Sequence, residues 1–290
     1  MRTEILSLGL LHFVVAALMA GSANAQGVAP DRTRTIVKYD NVEIDTIAEG
    51  KGPLIVLLPS RGRDSEDYDE VAAGLAKAGF RVLRPQPRGM HASKGPMKDI
   101  SLHDLARDIA EAITRENAGP AVIVGHAYGN WVARMTAVDY PKLVRGVVLA
   151  AAAAKTFPAR LSQLVSKSAD MKLPEAERLG YMREIFFAPQ SDAKVWLKGW
   201  WEEASEAQRV AAANVKQSDW WAAGTVPLLD LQAGSDPFKP DGTQNELKDE
   251  FTSRVTVVVI PNASHALLPE QPAAVVEAIA TWVRKLPPGS

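Results

Sequence analysis

Apolar and polar residues follow two different periods along this chain, and each change of period marks an element. Thr33–Tyr39 and residues 42–47 are β-rich runs that meet at Asp40-Asn41, the pattern of a hairpin. Leu54–Leu58 is apolar throughout, as expected of a strand buried on both faces. Residues 66–78 place Val71, Leu75 and Ala78 on one helical face and stop at Gly79. Residues 81–83 read as a short strand. Ser101-Leu-His-Asp104 has the spacing of a capping box and opens a helix that reaches Arg115. Residues 121–124 are apolar and β-branched, and a helical pattern carrying Trp131, Val132, Met135 and Val138 follows almost at once. Residues 144–149, a run starting near Leu228, and residues 257–260 supply the remaining strands. The final helix, Pro272–Lys285, turns Val275, Val276, Ile279, Trp282 and Val283 inward. Strands alternating with helices predict an α/β protein: a mostly parallel, twisted sheet with helices on both faces. Between Lys155 and Ala223 the alternation lapses. That stretch is polar and helical, holds five of the seven tryptophans, and reads as a helical lid inserted after the sixth strand.

The sharpest transition lies at Gly125-His126-Ala127-Tyr128-Gly129, where a strand turns into a helix with no loop between them. Glycine at both ends of such a turn avoids collision with the neighbouring strand and helix. The stretch resembles the nucleophile elbow of the α/β-hydrolase superfamily, Gly-x-Ser-x-Gly on a strand–turn–helix. Here the serine position is Ala127, a methyl group. In that superfamily the acid and the histidine follow in order, each after a later strand. Asp236, after the run 226–233, and His265, after 257–260, stand at the matching places. The resemblance implies an α/β-hydrolase fold divided into a core at 26–154 and 225–286 and a lid at 155–224. It also implies a site in which Asp236 orients His265 as a base while the N–H groups of Tyr128 and Arg61 hold an oxyanion. Two neighbouring stretches depart from the family pattern: Pro59-Ser60 replaces His-Gly, and His91 stands where a glycine is usual.

Composition narrows the chemistry. Lys and Arg number 33 against 34 Asp and Glu, which gives no reason to expect a nucleic-acid partner. There is no cysteine, so disulfides and thiolate chemistry are excluded. No two histidines have metal-ligand spacing, and neither a metal nor a cofactor is expected. Arg2, an apolar run over 5–20, and Ala23-Asn24-Ala25 read as a signal peptide at 1–25, cut before Gln26. The run is shorter than the ~20 residues of a membrane span. A periplasmic or secreted protein with no stable membrane anchor after cleavage is expected, with a flexible tail at 287–290.

Ala127 cannot attack a carbonyl, so acyl-enzyme chemistry at this position is excluded. Two function classes stay open. The first is an enzyme acting on small ester- or lactone-like carbonyl compounds through the His265–Asp236 dyad; cofactor-free lyase or oxygenase chemistry would also need a base and no nucleophile. The second is a non-catalytic protein that captures a small apolar molecule. Ser60, His91, Trp196 and Trp200 are candidates for lining the pocket, and Ser60 is also a candidate displaced nucleophile.

Overall fold

A computed structural model describes residues 32–287. The expected signal peptide at 1–25 and residues 288–290 of the expected tail lie outside the described residues. The sheet has eight strands: β1 Thr33–Tyr39, β2 Val42–Gly50, β3 Leu54–Leu58, β4 Arg81–Pro85, β5 Ala121–His126, β6 Val144–Ala150, β7 Leu228–Ala233 and β8 Val255–Ile260. Their order is β1-β2-β4-β3-β5-β6-β7-β8. The β1–β2 and β2–β4 pairs are antiparallel, and the pairs from β4–β3 to β7–β8 are parallel.

The helices are α1 Asp69–Lys77, α2 Leu102–Glu116, α3 Gly129–Asp139, α4 Ala159–Ala169, α5 Glu175–Ile185, α6 Glu202–Ala213, α7 Gln217–Trp220, α8 Glu246–Phe251, α9 Leu267–Glu270 and α10 Pro272–Lys285. Because side chains alternate across a strand, the continuous apolar runs supply two cores. Val56, Leu58, Ile123 and Leu149 pack with α2 and α3. Ile55, Leu57, Val122, Val124 and Val148 pack with α1 and α10 on the opposite face. The capping box forms: the Ser101 N–H donates to Asp104 Oδ2 at 2.9 Å, and Asn117, at a φ of +53°, ends the helix.

One local reading needs correction. Residues 66–78 do not form one helix. A 3-10 turn at Ser65–Tyr68, capped by Asp64, precedes α1. The apolar run at 255–260 is an edge strand, which leaves Val259 54% exposed. From α4 to α7 the chain is helical between β6 and β7, with its own core of Leu164, Met182, Ile185, Phe186 and Trp196.

Candidate active site

The site is assembled from the carboxyl ends of β3, β5, β7 and β8. β5 delivers Ala127 on a turn with φ +48°, the left-handed region that non-glycine residues seldom occupy. The turn is pinned by the Ala127 N–H donating to the Ala150 carbonyl at 2.9 Å. Its glycines are needed for space. A Cβ at Gly125 would lie 2.4 Å from the Asn130 backbone of α3, and one at Gly129 would lie 2.5 Å from the Leu58 carbonyl oxygen of β3. The elbow geometry is therefore complete, with a methyl group where a hydroxyl would be.

The loop after β7 carries Asp236 and the loop after β8 carries His265. His265 Nδ1 lies 2.9 and 3.0 Å from the two carboxylate oxygens of Asp236. Asp236 Oδ1 also accepts the Phe238 N–H at 2.9 Å, which fixes the carboxylate in its loop. The two loops are joined, since the Ser235 N–H donates to the Ala263 carbonyl at 2.9 Å and Ser264 Oγ to the Ser235 carbonyl at 3.1 Å. A carboxylate accepts only, so Nδ1 carries a proton in this hydrogen bond, and Nε2 is the ring nitrogen left free of Asp236. The His265 ring is stacked on Phe238, with centroids 4.0 Å apart.

His126 holds the floor together. Its Nε2 lies 2.6 Å from the His265 carbonyl oxygen, which can only accept, so this nitrogen bears the hydrogen. Its Nδ1 then accepts from Tyr68 Oη at 2.7 Å, and Tyr68 Oη in turn accepts the Ser60 N–H at 3.0 Å. Burial, with the nearby His265 second, pushes the His126 imidazole down from 6.5 to about 3. His126 is therefore a neutral connector between the loop after β3 and the histidine loop.

Above Ala127 opens a cavity of about 560 Å³, within the usual range for a ligand site. Ala127, Tyr128, Ser60, Arg61 and His265 line it together, as do α4, α6 and the approach to α7. The backbone N–H groups of Arg61 and Tyr128 donate to no partner among the described residues, as an oxyanion hole requires. Ser60 lines the cavity, but no hydrogen bond joins its hydroxyl to His265, whose ring bonds, among the described residues, only to Asp236. Arg61 reaches α4, where its Nη2 donates to Ser166 Oγ at 3.0 Å. Burial is the main influence on this guanidinium, lowering it from 12.5 to about 10, and Arg209 adds a smaller push downward.

Trp196, Trp200 and His91 do not line this cavity. The two indoles enclose the Arg63 guanidinium, 4.9 Å from each ring, while Asp67 neutralises it. They seal a buried charge and contribute to the packing of the helical segment. His91 Nε2 lies 3.2 Å from Asp64, with Glu66 close by. Glu66 is already paired with Arg34 at 2.7 Å, and Asp64 accepts the Trp201 indole N–H at 3.1 Å. The aromatic walls are Trp131 and Trp220, stacked with centroids 5.3 Å apart, together with Phe157, Phe186 and Phe238. Phe238 could have been found from sequence, since it lies two residues beyond Asp236 in the same loop. Trp131 and Tyr68 carried no such signal.

A parallel sheet flanked by antiparallel strands, with an elbow on β5 and an acid–histidine pair beyond β7 and β8, defines the α/β-hydrolase class. The chain belongs to the alpha/beta hydrolase family, whose model matches residues 55–278. It is 30% identical over 114 residues to the pyrrolizixenacetamide deacetylase of Xenorhabdus hominickii, a match covering 39% of this chain and less than half, 42%, of that relative. The 2-(acetamidomethylene)succinate hydrolase of Mesorhizobium japonicum aligns over 265 residues at 24% identity, covering 85% of this chain and 94% of its own. Among solved structures, an esterase from Exiguobacterium antarcticum superposes with a TM-score of 0.74 at 18% identity, covering 87% of this chain and all of its own.

Proposed function

We propose that the chain is a hydrolase of small carbonyl compounds, of the ester or lactone type, that works through a base and an oxyanion hole without a serine nucleophile. The observation that carries this reading is the His265–Asp236 pair, held at 2.9 Å, with His265 lining the same cavity as Ala127, Arg61 and Tyr128, whose backbone N–H groups have no partner among the described residues. In this scheme His265 Nε2 takes a proton from a water standing over the Ala127 methyl. The water oxygen bonds to the substrate carbonyl carbon, and the charge that develops on the carbonyl oxygen is met by the N–H groups of Arg61 and Tyr128. The imidazolium, stabilised by Asp236, returns the proton to the departing oxygen, giving an acid and an alcohol. Relatives named as a deacetylase and as a 2-(acetamidomethylene)succinate hydrolase support carbonyl hydrolysis as the reaction class. The apolar run followed by Ala23-Asn24-Ala25 supports export as the setting.

The methyl group of Ala127 favours one other reading, capture of a carbonyl ligand without turnover. The two part on the histidine. Turnover of p-nitrophenyl butyrate is expected to fall at least about 100-fold in His265→Ala, the scale of lost general-base catalysis. Equal rates in the variant and the natural protein would remove the enzymatic reading and leave capture.

A further inference from the structure

The cavity wall is chemically one-sided. Of the titratable side chains that line it, two are guanidinium groups, Arg61 and Arg209, and none is a carboxylate. Arg209 is half-exposed and is neutralised by Glu206, its Nη2 lying 2.6 Å from Oε1. Arg61 differs. Among the described residues it has no ion-pair partner, and its side-chain hydrogen bonds go from Nη2 alone, to the neutral Ser166 hydroxyl and the Ser162 carbonyl. Nε is buried without a partner. Of the other buried arginines, Arg63 is matched by Asp67, Arg84 by Glu49 and Asp69, and Arg88 by Asp108. Arg134 and Arg178 donate only to backbone carbonyls, and neither lines this cavity, so Arg61 is the guanidinium without a carboxylate partner, among the described residues, that a ligand in the cavity would meet. An uncompensated guanidinium against an apolar wall is costly unless an anion completes it. Its planar fork suits a carboxylate, which it can hold by two parallel hydrogen bonds.

We infer that Arg61 is the anchor for a carboxylate, so that the molecule this cavity takes is a carbonyl compound carrying a carboxylate on one short arm. The inference deepens the proposed function and rests on the same cavity being the site. The anchor and one oxyanion donor belong to the same residue. The carboxylate therefore lies only a few bonds from the reacting carbonyl, and the apolar remainder of the molecule extends toward Trp131, Trp220 and Val215. Substrates with an ammonium group at that end are disfavoured for the same reason.

The test uses the natural protein and two probes of equal shape, phenylbutyrate and phenylbutyramide, with affinities read by titration calorimetry. Phenylbutyrate is expected to bind about 10- to 100-fold more tightly, the usual worth of a charge-assisted hydrogen bond. In Arg61→Gln that ratio should fall to about 1–3, and Arg61→Lys should keep an intermediate ratio, because the charge remains and the fork is lost. Ser166→Ala, which frees the guanidinium from α4, should keep the preference. Equal binding of the two probes by the natural protein, no binding of phenylbutyrate at millimolar concentration, or an unchanged ratio in Arg61→Gln would each overturn the inference. So would a preference lost equally in Ser166→Ala, which would make Arg61 a pin between helix and core. Circular dichroism checks that Arg61→Gln folds. If it does not, the ratio in the natural protein and in Arg61→Lys decides. No turnover is needed, so a protein without esterase activity that still prefers phenylbutyrate would refute the hydrolase reading and leave this one standing.

Discussion

Ala127→Ser adds one oxygen to a turn already shaped for it. The backbone at 127 sits at φ +48° with alanine in place, so the strain of about 1–3 kcal/mol that a side chain incurs there is already present in the natural protein. Serine introduces no new backbone penalty, and its hydroxyl faces a cavity that His265 also lines. Stability is expected to change by about 1 kcal/mol or less, the net worth of a single hydrogen bond. The kinetic effect should be far larger. Removing the serine from a working triad costs about 10⁶-fold in kcat, while roughly 10³–10⁴-fold over water survives on the oxyanion hole and binding. Restoring the hydroxyl in a site not refined around it should recover at least about 100-fold, or about 2.7 kcal/mol of transition-state stabilisation. The assay is kcat/KM on p-nitrophenyl acetate and butyrate, with intact-mass detection of labelling by a fluorophosphonate. The variant should be labelled and the natural protein should not, and adding His265→Ala should remove the gain. A folded Ala127→Ser protein with neither labelling nor faster turnover would refute the idea that one hydroxyl is all the site lacks. Labelling of the natural protein that disappears in Ser60→Ala would place the nucleophile on the loop after β3 instead.

Two further predictions concern stability. His126 stays neutral in the folded protein down to about pH 3, whereas in the unfolded chain it takes a proton near pH 6.5. Its contribution is therefore complete above about pH 6.5 and is lost as the pH falls toward 3, at about 1.4 kcal/mol per unit. Urea midpoints measured from pH 7.5 to 4 should fall less steeply in His126→Gln than in the natural protein, and parallel curves would count against this assignment. Lys239 Nζ lies 2.8 Å from Asp230 Oδ2 in a fully buried pair. Lys239→Met should cost about 3–5 kcal/mol by stranding the carboxylate, and Asp230→Asn in the same chain should recover part of the loss, read by the same denaturation curves.

What could be read in the sequence was what the strand ends determine. Ala127, Asp236 and His265 each follow an apolar run that could only be an interior strand or its neighbour, and a parallel sheet brings all such ends to one edge. The helical segment was less legible. Its tryptophans looked equivalent, but Trp196 and Trp200 turn to Arg63 while Trp220 turns to Trp131, and only the tertiary path of α4–α7 decides which. Tyr68 and His126 are 58 positions apart, and no local pattern announces a hydrogen bond between them. Apolarity on both faces is the mark of an interior strand, and β8 has it at the open edge of the sheet.

The bonds from Ser60 through Tyr68 and His126 to His265 have a mechanical consequence. They close a ring between the loop that bears Arg61 and the loop that bears His265, with every link inside the protein and none left to solvent. Such a ring has no slack, and neither loop can lift without stretching the other. The floor of the cavity therefore behaves as a single plate. Whatever breathing admits a molecule must come from the helices overhead, and amide exchange at Ser60 and Tyr68 should be as slow as in the strands beside them.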